Sequence, residues 1–258
     1  MVRNCGGRRA YGVDERSKRV SYLFLVRHGQ GTLDGGNYDQ LSELGRVQSR
    51  MLGETWAARN FEIDYVYSGT QNRHSQTVEI VAASYRDAGL KFPEIKKDKR
   101  FNEIDSLDVL EKLLVVLLKR DPEFYALVEK TRIALKENSP NKIELFDRCM
   151  KIIMDAWINE RIPDFDGMSW KEYCRLVLDA RTEFAKYDAD ARIAVFTSGN
   201  PIGIYVKETL DLSDAKTREL IGNLYNTNVT SIIVRNGTMS LSTMNDVSHL
   251  TVDQVTQK

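Results

Sequence analysis

A chain of 258 residues, 42% hydrophobic and 29% charged, is long and apolar enough to bury a core without disulfide staples. Its 37 basic residues balance 37 acidic ones, so nothing in bulk pulls it toward nucleic acid or a membrane, and any anion site must be a local cluster. Three unpatterned cysteines (Cys5, Cys149, Cys174) favour reduced thiols in a cytoplasmic compartment, and three histidines without H-E-x-x-H or Cys/His ligand spacing argue against a metal or other cofactor.

Residues 1–19 carry Arg3, Arg8, Arg9, Arg16, Lys18 and Arg19 with little hydrophobicity. They read as a flexible leader; mitochondrial or other organelle targeting is a second reading, weakened by Asp14 and Glu15. Residues 20–258 read as one domain. Five β-branched, apolar runs predict strands over Val20–Val26, Ile63–Tyr67, Arg192–Thr197, Ser231–Arg235 and Met239–Thr243. The first three are nearly continuous in hydrophobicity, as strands covered on both faces should be. Asn236-Gly237 joins the last two, and both residues tolerate the positive φ of a tight hairpin.

Helical stripes fill the gaps. One starts at Ser42, read as its N-cap, with Leu44, Val47, Met51 and Leu52 on one side; others cover Gln71–Ala88 and Met168–Tyr187. Residues 106–166 lack a strand but carry helical segments over Leu107–Arg120, Glu123–Lys136 and Lys142–Asn159, punctuated by Pro122, Pro140 and Pro163. The expected fold class is α/β: a three-layer sandwich with a mostly parallel central sheet, helices on both faces and a helical insertion acting as a cap. The apolar run Leu113–Leu118 is far too short to cross a bilayer.

The chemistry concentrates where the first strand ends, in "SYLFLVRHGQGTLDGG". Gly29 and Gly31 are followed by Asp34, which fails the dinucleotide fingerprint, and Gly36 is followed by Asn37-Tyr38, which fails the P-loop. Ligands of open α/β sheets bind beyond the carboxyl ends of strands, where Arg27 and His28 sit. The two glycines are expected to let backbone N–H groups approach an anion. Arg beside His suggests a phosphate gripped by a guanidinium fork while an imidazole attacks it.

"LVRHGQ", "YDQLSELGRVQSRMLG", "VYSGTQNRHSQTVEI", "RFNEID", "AVFTSGNPIGIYV" and "NDVSHL" resemble, in order, the motifs of the histidine phosphatase superfamily, the phosphoglycerate-mutase-like proteins. The resemblance spans roughly residues 20–105 and 165–250. It implies His28 as the nucleophile, Arg27 and Arg73 as clamps on the phosphoryl oxygens, and Glu103 as the proton donor to the leaving group. A carboxyl beside a dianionic phosphate retains its proton more readily. The resemblance gives Gln30 and Thr32 phosphate or substrate contacts. Most members carry a second histidine after the later strand; here Ser198 stands in "FTSGN", as in a subgroup with Thr-Ser-Gly. A hydroxyl donates one hydrogen bond to phosphate but no cationic one.

The function implied is a metal-independent phosphomonoesterase acting on a small phosphorylated metabolite through phosphohistidine. The rival is a catalytically weak phospho-ligand-binding or regulatory protein; a mutase ranks below both, and oligomeric state is left open. His74, next to Arg73 on a helix, is expected to point about 100° away from it. That leaves His249 as the candidate to compensate for Ser198, against a simpler role as an anchor of the C-terminal segment.

Overall fold

The computed structural model describes residues 20–32, 39–104, 109–163, 165–184, 186–187 and 190–257. The expected leader, and residues 34–38 of the glycine-rich loop, lie outside them. Six strands form one sheet in the order β3-β2-β4-β1-β5-β6. Strand β1 (Val20–Arg27) pairs in parallel with β4 (Arg192–Thr197), which pairs in parallel with β2 (Tyr65–Ser68); β2 pairs in parallel with β3 (Ile95–Lys97). On the other side β5 (Val229–Arg235) runs antiparallel to β1, and β6 (Thr238–Asp246) antiparallel to β5.

Strand residues alternate between two cores, as the two-residue period of a pleated strand requires. Leu23, Leu25, Ile193 and Val195 enter one, while Val26, Ala194 and Phe196 enter the other. The second core is closed by Leu52 and Trp56 of α1 (Glu43–Ala58) and Val78, Val81 and Tyr85 of α2 (Asn72–Asp87). The first is closed by α6 (Trp170–Asp179), α7 (Arg181–Phe184) and α8 (Gly199–Leu210). The α/β sandwich is therefore present, with helices on both faces.

The insertion joins the first core. Its helices α3 (Val109–Arg120), α4 (Pro122–Lys136) and α5 (Lys142–Ile158) pack on one another. They meet the rest of the protein through Trp157, whose ring lies 5.3 Å from Trp170 and 5.6 Å from Tyr173 of α6. Helix α9 (Asp214–Gly222) packs on α8. No helix among the described residues is long and apolar enough to cross a membrane.

Local signals behave as their chemistry dictates. Ser42 caps α1, its Oγ accepting from Gly45 N at 3.0 Å. Asn236 and Gly237 turn the last hairpin with φ of 51° and 78°. Beyond α9, for which the sequence reading gave no helix, two features differ from the sequence expectation. Strand β3 is absent from it, because three residues bearing Lys96 and Lys97 on a sheet edge show no apolar run. The stretch expected as one helix over 168–187 is two, α6 and α7, broken at Ala180.

Strands β1, β2 and β4 point the same way, so their carboxyl ends form one edge. From that edge the chain leaves β1 toward α1 on one face, and leaves β4 toward α8 on the other. Such a reversal opens a crevice between the two strand ends. Arg27 pairs with Thr197 there, which puts His28 beside Ser198.

Candidate active site

His28 is held at three points. Its N–H donates to Thr197 O at 2.9 Å, and its carbonyl accepts from Thr227 N at 3.2 Å and Asn226 Nδ2 at 3.4 Å. Its Nδ1 lies 2.7 Å from Gly29 O. A carbonyl can only accept, so the proton sits on Nδ1 and Nε2 carries the lone pair. Burial, then the charges of Arg73 and Arg27 and the neighbouring His74, hold the imidazole well below its ordinary 6.5. Both effects favour the neutral ring, desolvation more than the cations.

Both expected clamp residues converge on this ring. Arg27 is buried and donates through Nη1 to Leu224 O. Arg73, fully buried in the first turn of α2, reaches Asp39 Oδ1 at 3.2 Å through Nη1. The same carboxylate accepts from Asn72 N at 3.0 Å, so Asp39 caps α2 while aligning the guanidinium. Gln30 and Thr32 follow on the same loop. Ser42 Oγ donates to Gln30 Oε1 at 2.8 Å, and Thr32 N donates to Gln40 O at 2.8 Å.

The glycine expected to admit an anion does something else. Gly29 N donates to Thr77 Oγ1 at 3.1 Å, and a methyl at Gly29 would overlap the carbonyl of Gly45. Gly29 therefore lets α1 press against the His28 loop. No local sequence signal distinguishes those two uses of a glycine.

Glu103 reaches the crevice from the short helical turn at Lys99–Phe101. Its carboxylate accepts from Ile104 N at 3.0 Å, from Asn200 N at 3.3 Å and from Asn200 Nδ2. Its own N–H donates to Gln71 Oε1 at 2.7 Å. Tyr173 Oη donates to Asn102 O at 2.7 Å, so α6, on which the insertion sits, steadies the segment bearing Glu103. Asn200, Asp39 and Asn102 carried no sequence signal, since each acts only on a group distant in the chain.

The histidine beside Ser198 is His74, which corrects the expectation that it points away. His74 is fully buried, its Nε2 lies 2.6 Å from Ser198 Oγ, and its ring centroid is 5.6 Å from that of His28. The 100° between Arg73 and His74 is real, but this first turn of α2 is enclosed on both sides. One side faces the β1 loop and Asp39, the other the end of β4. Burial, then Arg73, hold His74 well below 6.5 as well.

His249 is elsewhere engaged. Its Nε2 lies 2.9 Å from Thr227 Oγ1, and burial first, with Arg59, takes its pKa to about 4 despite Asp246. Thr227 sits at φ 54°, an unfavourable conformation for a β-branched residue, while its N–H holds the His28 carbonyl. His249 thus anchors the loop behind His28, the simpler of the two roles the sequence offered it, and the histidine beside Ser198 is His74.

A strand ending in Arg-His, a second arginine opening α2 and a carboxylate from a third segment thus meet at one edge of an α/β sheet. The model of the histidine phosphatase superfamily (branch 1) matches residues 23–156, and the chain belongs to that superfamily. Over 85 residues it is 27% identical to the mitochondrial serine/threonine-protein phosphatase PGAM5 of Xenopus laevis, covering 32% of this chain and 31% of that protein. This chain therefore matches about a third of that relative's length. Among solved structures it resembles a phosphoglycerate mutase from Bacillus anthracis, at 18% identity and a TM-score of 0.56, covering 92% of this chain and 97% of that one. It also resembles a mycobacterial glucosyl-3-phosphoglycerate phosphatase in complex with inorganic phosphate, at 18% identity and a TM-score of 0.55, covering 89% and 99%. At these identities the structural matches speak for the fold.

Proposed function

We propose that the protein is a metal-independent phosphomonoesterase that transfers the phosphoryl group of a small phosphorylated metabolite to His28 and then to water. The observation that carries this reading is the state of His28: held toward the neutral form, its Nδ1–H fixed on Gly29 O, which leaves the lone pair on Nε2, with the charges of Arg27 and Arg73 nearby. A loose phosphoryl transition state spreads charge over three equatorial oxygens, which suits two guanidinium groups and Ser198. Nε2 forms the P–N bond as the ester oxygen leaves. Glu103 supplies that oxygen's proton and afterwards takes one from the attacking water. Gln30 and Thr32, on the loop after His28, are proposed to contact phosphate or substrate.

In this reading the sequence Thr197-Ser198-Gly199 supports a likeness to the subgroup with Thr-Ser-Gly. The insertion, carried on α6, is proposed to cap the crevice and to act on substrate choice. The substrate within that class is to be found by screening a panel of phosphorylated metabolites.

The test is trapping of an acid-labile phosphoenzyme from labelled aryl phosphate in the presence of a strong chelator. A phosphoryl group on His28, lost in His28→Ala together with turnover, is the expected result. A protein that binds phosphate but forms no such adduct would be the regulatory alternative. Activity lost to the chelator and restored by magnesium or zinc would refute metal independence.

A further inference from the structure

Ser198 is a weak phosphate donor unless something fixes its rotor. A hydroxyl hydrogen can turn toward any acceptor in reach, and preorganised donors are what stabilise a transition state. The structure surrounds this hydroxyl unusually. Ser198 is the N-cap of α8, yet its side chain makes no capping bond to the helix. Instead Oγ meets His74 Nε2 at 2.6 Å, and both residues are buried.

The direction of that bond follows from the other ring nitrogen. His74 Nδ1 is buried with no hydrogen-bond partner. It faces Gly69 so closely that a methyl there would overlap Nδ1 and lie 2.9 Å from Cε1. A proton on Nδ1 would be an orphaned buried N–H pressed against a Cα, which is rare and costly; an unpaired nitrogen lone pair beside a C–H is milder. The proton therefore sits on Nε2, which donates to Ser198 Oγ. With one lone pair so occupied, the Ser198 O–H is turned away from His74 and left to donate to an anion beside His28, whose ring centroid is 5.6 Å from that of His74.

We infer that His74 is a positioning residue: its Nε2–H orients the Ser198 hydroxyl as a donor to the transferring phosphoryl group, with Gly69 as the seat that makes room for the ring. The pair unites the start of α2 with the end of β4 in the task that a single cationic side chain at position 198 would otherwise perform. This rests on the phosphatase reading above. It adds a residue that sequence position gives no reason to couple to Ser198, 124 residues away.

The experiment compares His74→Gln, His74→Met, Ser198→Ala and the His74→Met/Ser198→Ala double variant on an aryl phosphate. Gln can place an N–H near Nε2; Met fills similar space without a donor. The Gln variant should lose no more than about fivefold in kcat, the Met variant about 10- to 30-fold and Ser198→Ala about 100-fold, with KM within threefold. The double variant should be no slower than Ser198→Ala, because His74 acts only through that hydroxyl. Inhibition by vanadate, whose five-coordinate adduct mimics the transition state, should weaken in parallel with kcat, while inorganic phosphate binds nearly as before. Equal losses in the Gln and Met variants, or multiplicative losses in the double variant, would overturn the inference. If His74→Met does not fold, Ser198→Thr against Ser198→Ala decides: only the hydroxyl-bearing variant should keep the vanadate preference, and loss in both overturns the relay. A wild-type protein that forms no phosphohistidine refutes the parent reading instead, and that measurement is made first.

Discussion

All three histidines of this chain are buried, at 3%, 0% and 8% exposure for His28, His74 and His249, and all three are held below 6.5. Lowering the pH is therefore a strong perturbation. Because burial depresses the folded values, the unfolded chain takes up protons first. The stability linked to these groups is complete above pH about 6.5, shrinks as pH falls below it, and stops falling only once the folded value is passed, near 4 for His249. At pH 5 an ordinary histidine is almost fully protonated, so His249, held near 4 in the folded state, costs about 2 kcal/mol relative to pH 7.5, and His28 and His74 add to that loss in the same direction. Such a loss is a sizeable part of the roughly 5–15 kcal/mol by which domains are stable. Carboxylates contribute little in this window, since their ordinary values lie near 4. Urea unfolding at half-unit steps from pH 7.5 to 5 measures the slope directly. His249→Gln should reduce the loss at pH 5 by about 2 kcal/mol. A total loss below about 2 kcal/mol would mean that at most one histidine stays neutral, and would refute both the buried imidazoles and the tautomers assigned from them.

The other expectations concern the acid and the loop. Glu103→Gln should slow alkyl phosphates by about 100-fold or more and aryl phosphates far less, because only poor leaving groups need the proton; equal losses would remove Glu103 from that role. Asn200→Ala, which takes away Nδ2 from the Glu103 carboxylate, should reproduce the same leaving-group bias more weakly, read as a steeper dependence of kcat on leaving-group pKa. Gly29→Ala forces the α1 backbone away and should cost about 1–3 kcal/mol, a fall in Tm of about 3–10 °C, with activity reduced because His28 moves with the loop. An unchanged Tm would show that α1 does not press on this loop.

What the sequence determined by itself is what local chemistry encodes. The unbroken apolar run Ile193, Ala194, Val195 and Phe196 already implied a strand covered on both faces, and alternate residues do enter two cores. Ser42 and Asn236-Gly237 act within a few residues of themselves, and so their roles were legible. The order of motifs was enough to name His28, Arg27, Arg73 and Glu103 as candidates. Tertiary structure decided what lies across each gap. A helical period says that His74 points 100° from Arg73, but not that both directions are enclosed by the same crevice. It cannot say that the end of β4 brings Ser198 within 2.6 Å of the ring, or that Gly69 leaves space for it. Gly29 looked like an anion-binding glycine because flexibility is all that a glycine shows in sequence; only the approach of Gly45 reveals the backbone it admits. Contacts between residues far apart in the chain depend on how the β1 and β4 crossovers reverse at the sheet edge, and that reversal leaves no mark on the composition or spacing of either segment.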